Sequence, residues 1–134
     1  MDWLYDYLGR PWINGEQDCW WLVREVYRNR LDIELPALGV NADSIREVRQ
    51  VFRDHPVLSL WQAVDKPTHL DLVFFSSGRI HPTHVALFLD IDGGRYLHTY
   101  KHKGCVCETL PSAEQHGWKH PQYYRHVDRL TCAA

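Results

Sequence analysis

The chain has few cysteines, no long apolar run and no excess of either charge, and each lack removes a class of function. Four cysteines (Cys19, Cys105, Cys107, Cys132) in 134 residues are too few and too unevenly spread for a disulfide scaffold. A net charge of −2 leaves no basic footprint for nucleic acid or an anionic membrane, although nine histidines raise it in mildly acidic conditions. No segment approaches the roughly 20 apolar residues of a membrane span. The start, "MDWLYDYLGR", is acidic and aromatic with no basic n-region, so no signal peptide is expected. Synthesis in the cytoplasm follows, with any action outside reached by another route. Internal repeats and low-complexity segments are also lacking. What is present, 45% hydrophobic and 13% aromatic residues, predicts one folded domain over residues 1–134 with a core that needs no metal or disulfide.

Three helical patterns come first. Residues 3–8, "WLYDYL", read as a short helix stopped by Gly9 and the Arg10-Pro11 step. After the loop "RPWINGEQ", Cys19, Leu22, Val23, Val26 and Tyr27 recur at offsets 0, 3, 4, 7 and 8, one face of a helix that begins at Cys19. Asp18 is a good N-cap, since its carboxylate can accept from a first-turn amide. Residues 44–54, "SIREVRQVFRD", predict another amphipathic helix with Ser44 and Glu47 as a capping box. After Pro67 the period changes. "DLVFF" (71–75), "HVALFLDI" (84–91) and "RYLHTY" (95–100) predict strands covered on both faces, and "CVCETL" an added edge strand. Helices followed by strands predict an α+β fold with an antiparallel sheet.

A cysteine in the first turn of a helix lies where unpaired amides and the helix dipole favour negative charge, which predicts a lowered thiol pKa. The charge of Asp18 opposes this unless capping turns its carboxylate away. Packing against the sheet is the alternative role for Cys19. The bases on offer are His84, which shares a strand face with Ala86 and Phe88, and His98, which shares one with Tyr96 and Tyr100. Their meeting depends on register. A two-residue Gly93-Gly94 turn opposes His98 to Leu89 and sends the imidazoles to opposite faces. An odd-numbered loop centred on Asp92 opposes His98 to Ala86 and makes His84 its diagonal neighbour. A thiol served by both imidazoles therefore requires a loop of three or five residues.

Together "LGRPWINGEQDCWWLVREVY", "DLVFF", "HVALFLD" and "YLH" resemble, in order, the motifs of the NlpC/P60 cysteine peptidases of the papain-like clan. The resemblance spans roughly residues 8–100 and implies a papain-like fold with N-terminal helices packed on a central antiparallel sheet. Motif by motif it implies Cys19 as nucleophile, His84 as base and His98 as orienting residue, with no cofactor or metal. It implies as substrate a peptidoglycan stem peptide cut between γ-D-glutamate and the diamino acid, with no nucleic-acid or membrane partner. Asp-Cys-Trp is similar to the tail-associated members of tailed bacteriophages, so a tail or secretion apparatus is the expected delivery partner, placing the protein in a virion tail and its action in the periplasm or cell wall. Three departures stand out. Trp12 replaces a usual Tyr and can donate but not accept. Trp21 replaces a small residue, and Leu70 replaces the Gly before the strand motif, which predicts a local backbone change. Trp12, Trp20 and Trp21 are expected to line the substrate groove.

Other sites compete. His98, His102, Cys105 and Cys107 could ligate zinc, but the Cys-x-Cys spacing is a weak signal and incidental packing is the favoured reading. His81 is the substitute base. Asp71 orients a partner in the sheet or makes an ordinary strand-end hydrogen bond. Two other functions share the same thiol chemistry or fold: an acyltransferase or amidase passing the thioester to a different acceptor, and an assembly protein with an unused site.

Overall fold

The computed structural model describes residues 2–38, 47, 50, 59–76 and 82–133. A 3-10 helix, Asp2–Asp6, precedes α1, Cys19–Val26, which runs into a π-helical turn, Tyr27–Leu31. Six strands follow: β1 (Trp61–Val64), β2 (Leu72–Ser76), β3 (His84–Leu89), β4 (Arg95–Tyr100), β5 (Gly104–Glu108) and β6 (Lys119–His126), with a short helix α2 (Leu110–Gln115) between β5 and β6. The strands pair antiparallel in the order β1-β6-β2-β3-β4-β5. The architecture is the expected α+β, with α1 on a central antiparallel sheet. Of the helix expected over residues 44–54 only Glu47 and Gln50 are described, and both are helical; the rest of it lies outside the described residues, as does His81.

Helix α1 forms where its periodicity places it. The Asp18 carboxylate accepts from the Trp21 amide at 2.9 Å, satisfying one of the unpaired N–H groups of the first turn. Leu22, Val23, Val26 and Tyr27 pack on Leu72, Phe74, Val85, Leu87, Leu89 and Leu97. Alternation sends Val73, Phe75, Ala86 and Tyr96 to the opposite face, where Ala113 of α2 covers them. Both faces of β2 and β3 are thus buried, as their unbroken apolar runs require.

Residues before α1 cover the exposed edge of β5. The Gly9 amide donates to the Cys105 carbonyl at 3.0 Å, and the Cys105 amide to the Arg10 carbonyl at 2.9 Å. Gly104 makes this approach possible: its φ is +77°, and a Cβ there would lie 2.7 Å from the Arg10 oxygen. Asp71 is the clamp at the other side of the sheet. Its buried carboxylate accepts from the Thr68 amide (2.7 Å), from Arg125 Nε and Nη2 (3.0 and 2.8 Å) and from Arg129 Nη1 (3.0 Å). It therefore ties the start of β2 to β6 and to the 3-10 turn Val127–Ala133.

Three elements escape the sequence pattern. Strand β6 carries Pro121, which normally argues against an interior strand. Here Phe74 faces Gln122 while Ser76 faces Lys119, so β6 has one residue too many, and the bulge contains Pro121 and a left-handed His120 (φ +55°). Strand β1 is four residues long. Helix α2 is only six residues, although Thr109, which accepts from the Ser112 amide at 3.3 Å, Pro111 and Gly117 are a readable set of start and stop residues.

Leu70 adopts the left-handed φ of +69° that suits glycine. Its amide donates to the Phe88 carbonyl at 2.7 Å, its carbonyl accepts from the Tyr27 hydroxyl, and its side chain is buried. Burial of the leucine offsets a backbone strain of about 1–2 kcal/mol. Leu70→Ala loses the burial and keeps the strain, whereas Leu70→Gly loses both. Urea denaturation should therefore show the glycine variant more stable than the alanine variant by about 1 kcal/mol, reversing the usual order.

Candidate active site

The site begins with the hairpin joining β3 and β4. Leu87 faces Leu97, Phe88 faces Tyr96 and Leu89 faces Arg95, which leaves a five-residue loop, 90–94, with Asp92 at its centre. Carried one step further, this register sets His98 opposite Ala86, with His84 as its diagonal neighbour on the same face. The small Ala86 leaves room, and His84 Nε2 lies 2.8 Å from His98 Nδ1. Both imidazoles are buried. Trp118, in the segment after α2, stacks on His84 with ring centres 4.2 Å apart and planes 25° apart. Phe75 lies nearly parallel to His84 at 6.4 Å, and Tyr100 meets it edge-on at 5.9 Å. Aromatic rings thus fix the plane of His84, and His98 takes one of its two nitrogens. The other nitrogen, Nδ1, is not engaged by His98.

Cys19 reaches the same end of β3 from the face that α1 covers. Its sulfur lies against the amides of Val85, Trp20 and Cys19 itself. Among the described residues no hydrogen bond joins the thiol to either imidazole. The expected lowering of the thiol pKa is overturned. Burial, followed by the charge of Asp18, pushes it up to about 12, and the three amides only partly oppose this. Capping engages the Asp18 carboxylate without cancelling its field. Burial likewise holds His84 well below the usual imidazole range, with His98 adding to the effect. It lowers His98 too, although Glu108 pulls that residue back up. At neutral pH the resting groups are therefore a neutral thiol and neutral imidazoles.

Glu108 is the member of the cluster that sequence reasoning missed. On β5, His98 faces Val106, so Glu108 is the next residue along on the same face, and its Oε1 lies 3.6 Å from His98 Nε2. His116, which caps the end of α2, meets the same oxygen through Nδ1 at 3.1 Å. The signal was the two-residue spacing from Val106, readable only once the β4–β5 register is known. That register also splits the weak zinc set. Cys105 faces Thr99 and packs, with Cys107, on the α1 side, away from His98.

The tryptophans divide. Trp12 fronts a cleft of about 530 Å³ shared with Gly9, Pro11, Lys101, His102, Lys103 and Gly104. Trp20 and Trp21 wall a smaller cavity of about 180 Å³ beside Asp18 and Arg24. Trp20 is buried and its Nε1 donates to the Pro36 carbonyl at 2.8 Å, which anchors the segment after the π-helical turn. Trp21 packs edge-on against Tyr7 at 6.4 Å and beneath the Arg10 guanidinium at 5.9 Å.

The sequence matches the NlpC/P60 family over residues 4–125. The chain belongs to the NlpC/P60 family. No curated protein matches it. NlpC/P60 proteins are in general cysteine peptidases and hydrolases of the cell wall, and membership brings that broad class to this chain. The match covers α1, the hairpin and most of β6, so Cys19, His84, His98 and Glu108 all fall inside it. No described helix is long and apolar enough to cross a membrane.

A neutral resting thiol has a measurable signature. Peptide-mapped alkylation of Cys19 by iodoacetamide should speed up about tenfold per pH unit between roughly pH 6 and pH 10. A rate that is already flat across neutral pH would mean a preformed thiolate–imidazolium pair and would contradict the electrostatics above.

Proposed function

We propose that the protein is a cysteine endopeptidase that hydrolyses peptidoglycan stem peptides between γ-D-glutamate and the diamino acid, with Cys19 as nucleophile, His84 as base and His98 as its orienting partner. The observation that carries this reading is the buried 2.8 Å contact between His84 Nε2 and His98 Nδ1, at the strand end where the Cys19 sulfur meets the Val85 amide. A structural role requires no buried imidazole pair at the strand end that a helix-start thiol also reaches.

Because the resting groups are neutral, His84 removes the thiol proton as sulfur attacks the amide carbonyl rather than in advance. The hydrogen bond between thiol and imidazole forms only when substrate closes the site, as is common for catalytic contacts. The Cys19 amide, at the start of α1, donates to the oxyanion, with the Trp12 indole N–H as the second donor. His84 then protonates the leaving amine. Water, activated by the same imidazole, releases the acyl group from Cys19. With an amine or alcohol acceptor the same thioester gives transfer instead. Delivery by a phage tail or secretion structure is supported by the Asp18-Cys19-Trp20 motif.

The test is turnover of defined muropeptides followed by mass spectrometry of the products, with and without acceptor amines. Cys19→Ala should reduce cleavage to background. His84→Ala should cost about 10²- to 10⁴-fold, and His98→Ala should lower kcat more than it raises KM. Equal turnover by wild type and Cys19→Ala would end this reading.

A further inference from the structure

The orienting residue needs an orienter of its own. His98 Nε2 is buried and has no hydrogen-bond partner among the described residues. The carboxylate of Glu108, with Oε1 at 3.6 Å, is too far for a good hydrogen bond. It is close enough for its charge to decide which nitrogen carries the proton. From this geometry we infer that Glu108 is a positioning residue that sets the tautomer of the whole histidine pair, an inference that rests on the proposed roles of Cys19, His84 and His98.

The reasoning follows the protons. A lone pair on Nε2 aimed at a buried carboxylate is repelled, whereas an N–H is attracted, so His98 holds its proton on Nε2. Its Nδ1 is then an acceptor. Among the described residues the group bonded to that nitrogen is His84 Nε2, 2.8 Å away, which must therefore carry the second proton. His84 Nδ1 is left as a lone pair, the form able to take the thiol proton. Had His98 been protonated on Nδ1, His84 would present its lone pair to His98 and an N–H to the thiol, and could not act as base.

Glu108 is placed for this task. It lies on β5 at the edge of the sheet, and its carboxylate faces His98 and Tyr100 on β4 and His116 at the end of α2. His116 Nδ1 at 3.1 Å holds the oxygen from the side away from the site. Burial alone would raise the Glu108 pKa, but its contacts with His98 and His116 outweigh burial and keep its carboxyl below the ordinary range. The negative charge is thus present at neutral pH. It also stabilises the imidazolium that forms when His84 takes the thiol proton. His84 itself is faced by His98 and by the uncharged rings of Trp118, Phe75 and Tyr100, so the Glu108 charge reaches it through His98.

The test pairs kinetics with a spectroscopic readout that does not depend on turnover. Glu108→Gln keeps the size and an acceptor oxygen and removes the charge. It should lower kcat/KM by about 10- to 100-fold with KM nearly unchanged. The acid limb of the pH profile, which reports the imidazole pair, should move to lower pH, and Glu108→Asp should recover part of the loss. Nitrogen-15 NMR of the wild-type imidazoles should show protons on Nε2 of both His84 and His98, and a mixture of tautomers at His98 in Glu108→Gln. Wild-type cleavage with an unmoved acid limb in Glu108→Gln, or a proton on Nδ1 of His98 in wild type, overturns the inference and leaves the peptidase reading intact. The expected tautomers in a wild type that cleaves no muropeptide support the inference and overturn the peptidase reading.

Discussion

Everything at this site depends on the pairing of β3 with β4. Strand side chains alternate with a period of two, so a slip of one residue would leave the hydrophobic face of one strand looking at solvent. Leu87 opposite Leu97 satisfies both cores at once: the leucines face α1, while Ala86, His84 and His98 turn to the other side. The same constraint that buries the leucines therefore assembles the imidazole pair. The pair needs no loop to hold it, because its position follows from the most buried strands of the molecule. Asp71 and its two arginines secure the neighbouring strands β2 and β6 against that hairpin.

Burial is the second theme, and it works against charge. The thiol, both imidazoles and Glu108 are all penalised for ionising by the surroundings that position them. Only Glu108 has enough partners to stay charged. The result is one fixed negative charge at the far end of a line, Glu108–His98–His84. In the proposed mechanism proton transfer is coupled to attack, and the charge that develops on His84 meets a carboxylate already in place rather than one that must reorganise.

Much of this was legible in the sequence, for physical reasons. The 0, 3, 4, 7, 8 spacing from Cys19 and the Asp18 cap describe α1 because local hydrogen bonds and one apolar stripe suffice to build it. The apolar runs of β2, β3 and β4 were visible because both of their faces are buried, and the odd loop around Asp92 followed from requiring two imidazoles to meet. The rest depends on tertiary context. Strand β6 is half-exposed and interrupted by Pro121, so its pattern shows only when the bulge opposite Phe75 is known. Glu108 gains its role from a diagonal across β4 and β5. The raised thiol pKa reflects enclosure by elements far apart in the chain. Leu70 shows the opposite case: a residue poorly suited to its φ is retained because its side chain fills the core.

The central claim is that Cys19 is the atom-bearing nucleophile of an NlpC/P60 site served by the histidine pair. Rapid acid quench of the protein with a stem peptide containing the γ-D-glutamyl–diamino acid bond, followed by peptide mapping, tests it most directly. The account predicts a transient acyl adduct on the Cys19 peptide, formed by wild type and absent in His84→Ala. Cleavage of that bond with no adduct on Cys19 at any quench time, or with the adduct on Cys105, Cys107 or Cys132, would contradict it.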